Sequence, residues 1–270
     1  MTPQGFAVFA AVLRAGSGLA ITQDKQYLLE TRLAPLLRRE KLISLDALAE
    51  RIRAAPQSPL VREIVEAMTT NESFFFRDDK PFNHVRTTAM PALAASRAAG
   101  NRLRFWSAAA STGQEAYSLA MLLNEMRLSI GPRDVEILGT DISREALTRA
   151  REGVYSQFEI QRGLSMQYLV RYFRKDGTQW RVTDALRSMV SFREWNLLAD
   201  LRPLGQFDIV FCRNVLIYFD PPTKVRALEA IAKQMAPDGL LYLGGAETVL
   251  GLTNRLVPAG KEHGVYKLAA

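Results

Sequence analysis

Ser107-Ala-Ala-Ala-Ser-Thr-Gly-Gln-Glu115 is the stretch on which the fold turns. A hydrophobic run from Leu103 leads into it, and a helical pattern over 114–127 leads out. Small side chains from Ala108 to Gly113 let a ligand approach the backbone, and the helix start behind them offers unpaired N–H groups. The same residues also suit a tight strand-to-helix turn that binds nothing. Neither GxGxxG nor GK[ST] spacing is present, so the turn is no triphosphate cradle.

Two further strings sit where a hydrophobic run ends in polar residues. They are Gly139-Thr140-Asp141, about twenty-five residues on, and Phe211-Cys212-Arg213-Asn214-Val-Leu-Ile-Tyr218-Phe. Open α/β sheets keep their ligands at the carboxyl ends of parallel strands, and an acid at this distance from a small-residue turn suits a ribose. Strand-like runs at 103–108, 135–140, 189–195, 207–212 and 239–244 alternate with helical patterns at 114–127, 143–151 and 222–235. That alternation predicts a parallel, doubly wound sheet. Residues 253–268 suit one or two late strands. The stretch 152–188 breaks the alternation, and Lys175-Asp176-Gly177-Thr178 inside it suits a hairpin turn between short strands.

Before Leu103 the chain reads as helices only. Phe6, Phe9, Val12 and Leu13 recur at helical spacing, which favours an amphipathic first helix over a signal peptide. Leu29, Leu33, Leu36 and Leu37 stripe a second helix, with a kink or restart expected at Pro35. Ser44 caps a third, and Ser58-Pro59 opens a fourth.

The composition, 48% hydrophobic and 23% charged over 270 residues, is that of a globular chain. One cysteine and two histidines give neither an internal disulfide nor a metal cluster, so no metal is expected and the compartment reads as the cytoplasm. A net charge of +7 invites nucleic acid, but no basic run and no basic–aromatic interleaving accompanies it.

Individual residues leave alternatives open. Asp141 can accept ribose hydroxyls or cap a helix, and Ser143 already suits the cap. Glu115 favours the helix dipole, or meets an ammonium group. Asn214 offers donors and acceptors at a strand end, while Tyr218 either reaches the same pocket or packs in the core. Cys212 reads as a small core residue rather than a nucleophile.

Taken together, five strings resemble the chemotaxis receptor methyltransferases of the CheR type, in that family's order. They are Met68-Thr-Thr-Asn-Glu-Ser-Phe-Phe-Phe-Arg-Asp, Trp106-Ser-Ala-Ala-Ala-Ser-Thr-Gly-Gln-Glu-Ala-Tyr-Ser, Thr140-Asp-Ile-Ser, Asn196-Leu-Leu and Phe211-Cys-Arg-Asn-Val-Leu-Ile-Tyr-Phe. Arg162-Gly163-Leu164 and Tyr172-Phe173 resemble its middle stretch. The resemblance implies a helical N-terminal domain over 1–70, a linker over 71–82 that contributes to the cofactor site, and a Rossmann-like methyltransferase domain over 83–270. It places a small antiparallel β-subdomain at about 168–190. It further implies a cytoplasmic enzyme, recruited to membrane-bound arrays, that uses S-adenosyl-L-methionine (SAM) to methylate glutamates on the chemoreceptor cytoplasmic helical bundle.

Carried over by position, the cofactor contacts fall on Asn71, Ser73, Arg77, Glu115, Asp141, Asn196, Leu197, Arg213 and Asn214. Arg77 and Tyr218 are the candidate catalytic residues, Arg77 either orienting the substrate carboxylate or binding only the cofactor. Arg32 and Arg39, two helical turns apart with Arg38 beside them, are the candidate receptor-docking cations, or else a solvated rim around the leucines. Ala116 replaces a common proline, and the hairpin after Phe173 is short, which argues against a pentapeptide tether. A nucleic-acid methyltransferase is the first rival: Asp220-Pro221-Pro222 resembles an adenine-N6 motif but is followed by Thr223, and Cys212 lacks the proline of a cytosine-C5 nucleophile. A SAM-binding scaffold without catalysis is the second.

Overall fold

A computed structural model describes residues 1–98, 100–131 and 134–269. By internal packing the chain forms two units: Met1–Thr70 with Ile217–Arg226, and Asn71–Leu216 with Ala227–Ala270.

The first unit holds α1 (Pro3–Ser17), α2 (Gln26–Arg39), α3 (Leu45–Ala54) and α4 (Pro59–Met68). Their starts follow side-chain capping: Thr2 accepts the Gly5 N–H, and Ser44 accepts the Ala47 N–H. Phe9, Leu13, Leu29, Leu33, Leu48, Ile52, Ile64 and Met68 form the buried stripe of these helices. Helix α2 runs on through Pro35 without the expected restart. The N–H that proline lacks would have met the Thr31 carbonyl, and both residues are exposed, so water can satisfy the orphaned acceptor.

The second unit begins with α5 (Lys80–His84), a π-helical turn (Val85–Ala89) and α6 (Met90–Ser96). Then follow β1 (Leu103–Ala108), α7 (Gln114–Ile130), β2 (Val135–Asp141), α8 (Arg144–Glu152), β3 (Val154–Ser156), α9 (Gln157–Gln161), α10 (Met166–Tyr172), β4 (Phe173–Asp176) and β5 (Gln179–Val182). It closes with α11 (Asp184–Arg187), β6 (Val190–Glu194), β7 (Phe207–Cys212), α12 (Pro221–Ala232, shared with the first unit), β8 (Met235–Leu243), β9 (Leu256–Pro258) and β10 (Val265–Leu268).

Seven strands form one sheet in the order β6-β2-β1-β7-β8-β10-β9, parallel from β6 to β8, with β10 antiparallel to both its neighbours. After β1 the chain moves to β2 on one side, and later returns as β7 on the other. The crevice at this switch point lies between the carboxyl ends of β1 and β7. All six residues of β7 are buried, as a central parallel strand requires.

Four boundaries differ from the sequence reading. Strand β8 starts at Met235 rather than 239, because Met235 pairs with Phe207 before the register shifts and Leu240 meets Ile209. The β-subdomain recruits β3, outside 168–190, in the order β3-β5-β4. Residues 217–226 group with the N-terminal helices, Ala20 donating its N–H to the Tyr218 carbonyl. The stretch 71–82, expected as a linker contributing to the cofactor site, belongs to the second unit and gives Phe75 and Phe82 to its core. Phe75 is fully buried edge-on against Tyr155 and Phe173, at 5.0 and 5.5 Å between ring centroids. Burying such a ring contributes about 1.5–3 kcal/mol. Gly163, in the left-handed region, lets the Phe75 carbonyl pass where a Cβ would come within 1.9 Å.

Candidate functional site

The turn after β1 is strained in the way that exposes its backbone. Ala109 and Ser111 hold φ of 62° and 52°, a left-handed conformation that costs a non-glycine residue about 1 kcal/mol. The strain sets the Ser111 N–H on the Asp141 carboxylate at the end of β2 (Oδ2, 2.8 Å). The other carboxylate oxygen accepts the Ser143 N–H at 2.9 Å, while the Ser143 hydroxyl caps α8. The Ser111 hydroxyl donates to the Asn71 carbonyl at 2.8 Å, and the Asn71 amide donates to the Ser143 hydroxyl at 3.3 Å. One hydrogen-bonded ring therefore joins Asn71, Ser111, Asp141 and Ser143. The Trp195 N–H donates to the Asp141 carbonyl, which brings in the loop after β6. There the Asn196 side chain accepts the Leu198 N–H at 2.9 Å, and Leu197 is buried. Ser73 lies half-buried on the same string as Asn71.

Across the switch point, Glu115 and Arg213 form a sheltered pair. The Glu115 carboxylate accepts the Ser107 hydroxyl (2.8 Å) and the Arg213 guanidinium (3.1 Å). Burial pushes its pKa above the ordinary carboxylate value, against the pull of Arg213. The Arg213 side chain is 1% exposed, and its other nitrogen donates to the Arg77 carbonyl (2.8 Å) and to Asp78 (2.7 Å). Arg213 thus fastens the 77–78 backbone to the end of β7 through one terminal nitrogen, while its buried Nε has no hydrogen-bond partner among the described residues. Its family position implies a cofactor contact, and the bonds to Arg77 and Asp78 make it a tether as well. The Arg77 guanidinium stacks over the Phe74 ring at 5.3 Å and donates to the Glu72 carbonyl at 3.4 Å. Its charge also reaches Glu115, favouring the ionised carboxylate there.

Asn214, next in the chain, sits at φ 59°. Glu247, just past β8, holds it there through the Asn214 N–H. Sequence reasoning missed Glu247 and gave Asp78 no role. The strand-end rule that found Asp141 and Asn214, applied to Gly244-Gly245-Ala-Glu247 after β8, would have found the first.

Other expectations fare differently. Tyr218 lies in the short 3₁₀ turn Leu216–Tyr218, and from Ile217 on the chain belongs to the helical unit. Arg32 is committed, donating to the Met68 and Thr69 carbonyls (2.6 and 2.9 Å) and to the Thr70 hydroxyl (3.0 Å), so it caps the C-terminus of α4. Arg39 pairs with Glu40 and Glu63. Arg38 is exposed, with no ion pair among the described residues. Asp220 is the start of a helix rather than an adenine motif: it accepts the Thr223 N–H (3.0 Å) and pairs with Arg14 (3.2 Å). Burial holds the Cys212 thiol well above its usual pKa, which suits core packing.

Comparisons with known proteins identify the family. The profile described as CheR methyltransferase, SAM binding domain, matches residues 71–265. The profile for the CheR methyltransferase all-alpha domain matches residues 4–69. The chain belongs to the CheR methyltransferase family. Chemotaxis protein methyltransferase Cher2 of Pseudomonas putida is 42% identical over 251 residues, covering 92% of this chain and 91% of that one. Chemotaxis protein methyltransferase 1 of Pseudomonas aeruginosa is 41% identical over the same length, with the same coverage. Its Vibrio cholerae namesake is 37% identical over 273 residues, covering 99% and 98%. The CheR-family chain is thus a SAM-dependent methyltransferase with a helical N-terminal domain and a Rossmann-like domain carrying a small antiparallel sheet. The cluster's groups suit the cofactor: a carboxylate fixed at the end of β2 for a ribose, and a buried acid with a nearby cation for an amino-acid end. Among the described residues no helix is long and apolar enough to cross a membrane.

Proposed function

We propose that this protein methylates glutamate side chains on the cytoplasmic helices of chemoreceptors, forming glutamyl methyl esters for sensory adaptation at membrane-bound arrays. The carrying observation is the ring joining Asn71, Ser111, Asp141 and Ser143 at the ends of β1 and β2 in a chain of this family. The relatives' names, chemotaxis protein methyltransferases, support the receptor as substrate.

SAM supplies a methyl group on a positively charged sulfur. When SAM is bound, Asp141 would receive the ribose hydroxyls, Glu115 would attract the ammonium end, and Asn71, Ser73, Asn196, Leu197 and Asn214 would complete the wall. A substrate glutamate, with an ordinary pKa of about 4.3, is already anionic at neutral pH, so no general base is needed. The chain's task is alignment, which can contribute on the order of 7–11 kcal/mol. Arg77 is suited to it: a pair of guanidinium N–H groups can hold one carboxylate oxygen and leave the other to react. Arg213 keeps the Arg77 backbone in place for this. On the helical domain, Arg38 is the docking cation best disposed toward an acidic receptor surface, with Arg39 contributing after exchange of its partners.

The turn between β4 and β5 is only Gly177-Thr178, which supports methylation independent of a receptor C-terminal pentapeptide. Incubating the enzyme with tritiated SAM and receptor cytoplasmic fragments, with and without that pentapeptide, tests both points. Base-labile radioactive methanol at equal rates from both fragments is expected. No base-labile label in either fragment would refute the reading, and label confined to tailed fragments would refute tether independence.

A further inference from the structure

Glu247 is buried, 4% exposed, in a loop with no role in the reading above. Its carboxylate is set between two neighbouring strand ends. One oxygen accepts the Asn214 N–H (2.8 Å) and the Gly244 N–H (2.7 Å), and the other accepts the Val215 N–H (2.9 Å). Asn214 and Val215 leave β7, Gly244 leaves β8, and the two strands are paired up to Cys212 and Leu243. The carboxylate therefore continues the ladder past the point where strand pairing stops. It does so while Asn214 is in the left-handed region, where the side chain projects in a direction that an extended residue would not give it. Space is tight: a Cβ on Gly244 would come within 2.7 Å of a Glu247 oxygen and 2.9 Å of the Asn214 amide nitrogen.

We infer that Glu247 is a positioning residue for the methyl-transfer site, acting through Asn214: it locks the left-handed turn that aims the Asn214 amide at the cofactor. Three backbone N–H donors on one buried carboxylate specify an anion at this place, since charge-assisted bonds are roughly twice as strong as neutral ones. A neutral amide there turns an NH₂ group toward at least one N–H donor. The turn then relaxes toward a commoner conformation, and the Asn214 side chain swings away. The inference rests on the assignment of Asn214 to the SAM site.

The test is a double-mutant cycle on the full-length protein, reading S-adenosylhomocysteine binding by titration calorimetry. Asn214→Ala alone should raise Kd at least tenfold, which checks the assignment of Asn214. Glu247→Gln should raise Kd by a similar factor, with the far-UV circular dichroism and the KM for receptor fragments unchanged. Glu247→Gln added to Asn214→Ala should change Kd less than threefold. A general structural role for Glu247 predicts instead that the two effects multiply. Should Glu247→Gln not fold, Gly244→Ala, which crowds the same two groups, decides the matter by the same Kd and the same cycle. The inference is overturned by an unchanged Kd in a folded Glu247→Gln or Gly244→Ala protein, or by multiplying effects. A normal Kd in Asn214→Ala overturns it together with the placing of Asn214, whereas a tenfold loss there with a normal Glu247→Gln overturns the inference alone.

Discussion

Replacing Arg213 by alanine gives the sharpest test of the site's construction. The substitution removes three hydrogen bonds of 2.7–3.1 Å, and their weights differ. Asp78 is 54% exposed, so water compensates most of that loss and a surface pair is worth 0–1 kcal/mol. Glu115 is only 13% exposed, and it is left sheltered without its guanidinium partner. Breaking a sheltered pair from one side costs about 3–5 kcal/mol. The expected destabilisation of Arg213→Ala is therefore about 3–5 kcal/mol, most of it the orphaned carboxylate. Adding Glu115→Gln removes the orphaned carboxylate, so the double mutant should be more stable than Arg213→Ala, an unusual sign for a second core substitution. All three tryptophans (106, 180 and 195) lie in the sheet unit, so urea unfolding followed by tryptophan fluorescence reports on that unit. A loss under 1 kcal/mol in Arg213→Ala, or further destabilisation by Glu115→Gln, would refute the tether and leave Arg213 with the cofactor contact alone.

Asp141→Ala should weaken SAM binding by about 1.5–3 kcal/mol in calorimetry, the range for a hydrogen bond to a charged group. Arg77→Ala should lower kcat far more than SAM affinity if Arg77 orients the substrate, whereas equal losses in the two make it a cofactor ligand only. Cys212, its thiol held protonated by burial, should resist iodoacetamide at pH 8 in the folded protein and react in urea, as read by intact mass. Arg32→Glu should destabilise the helical unit by at least about 1.5–3 kcal/mol, seen in thermal melts by circular dichroism, because a carboxylate would then face the carbonyls at the end of α4. Arg38→Glu should leave the melt unchanged and raise KM for receptor fragments, with a wild-type rate that falls as salt shortens the Debye length from about 10 toward 3 Å.

What the sequence made legible, and what it hid, divides along one physical line. Parallel strands are buried on both faces, so β1, β2 and β7 announce themselves as hydrophobic runs, and the candidate ligand residues are simply the polar ones that come next. Asp141 and Asn214 were visible for that reason. The partners of charges were not, because pairing depends on distance in space. Arg32 and Arg213 look alike in the sequence, each an arginine near a motif. The first closes the end of a helix thirty-six residues away and the second fastens a loop 135 residues away, partners that neither position suggested. Arg38, six residues after Arg32 on the same helix, remains on the surface because the helical period turns it away from the face that Arg32 occupies. A local rule can place a charge on a face; it cannot say what else that face already holds. Glu247 is the converse case: it belongs to no hydrophobic pattern and no charge run, yet its carboxylate fixes the conformation of the one left-handed residue at the end of β7. The strand-end rule can mark it as a polar residue after β8, but what it holds is visible only where three backbone N–H groups converge once β7 and β8 lie side by side.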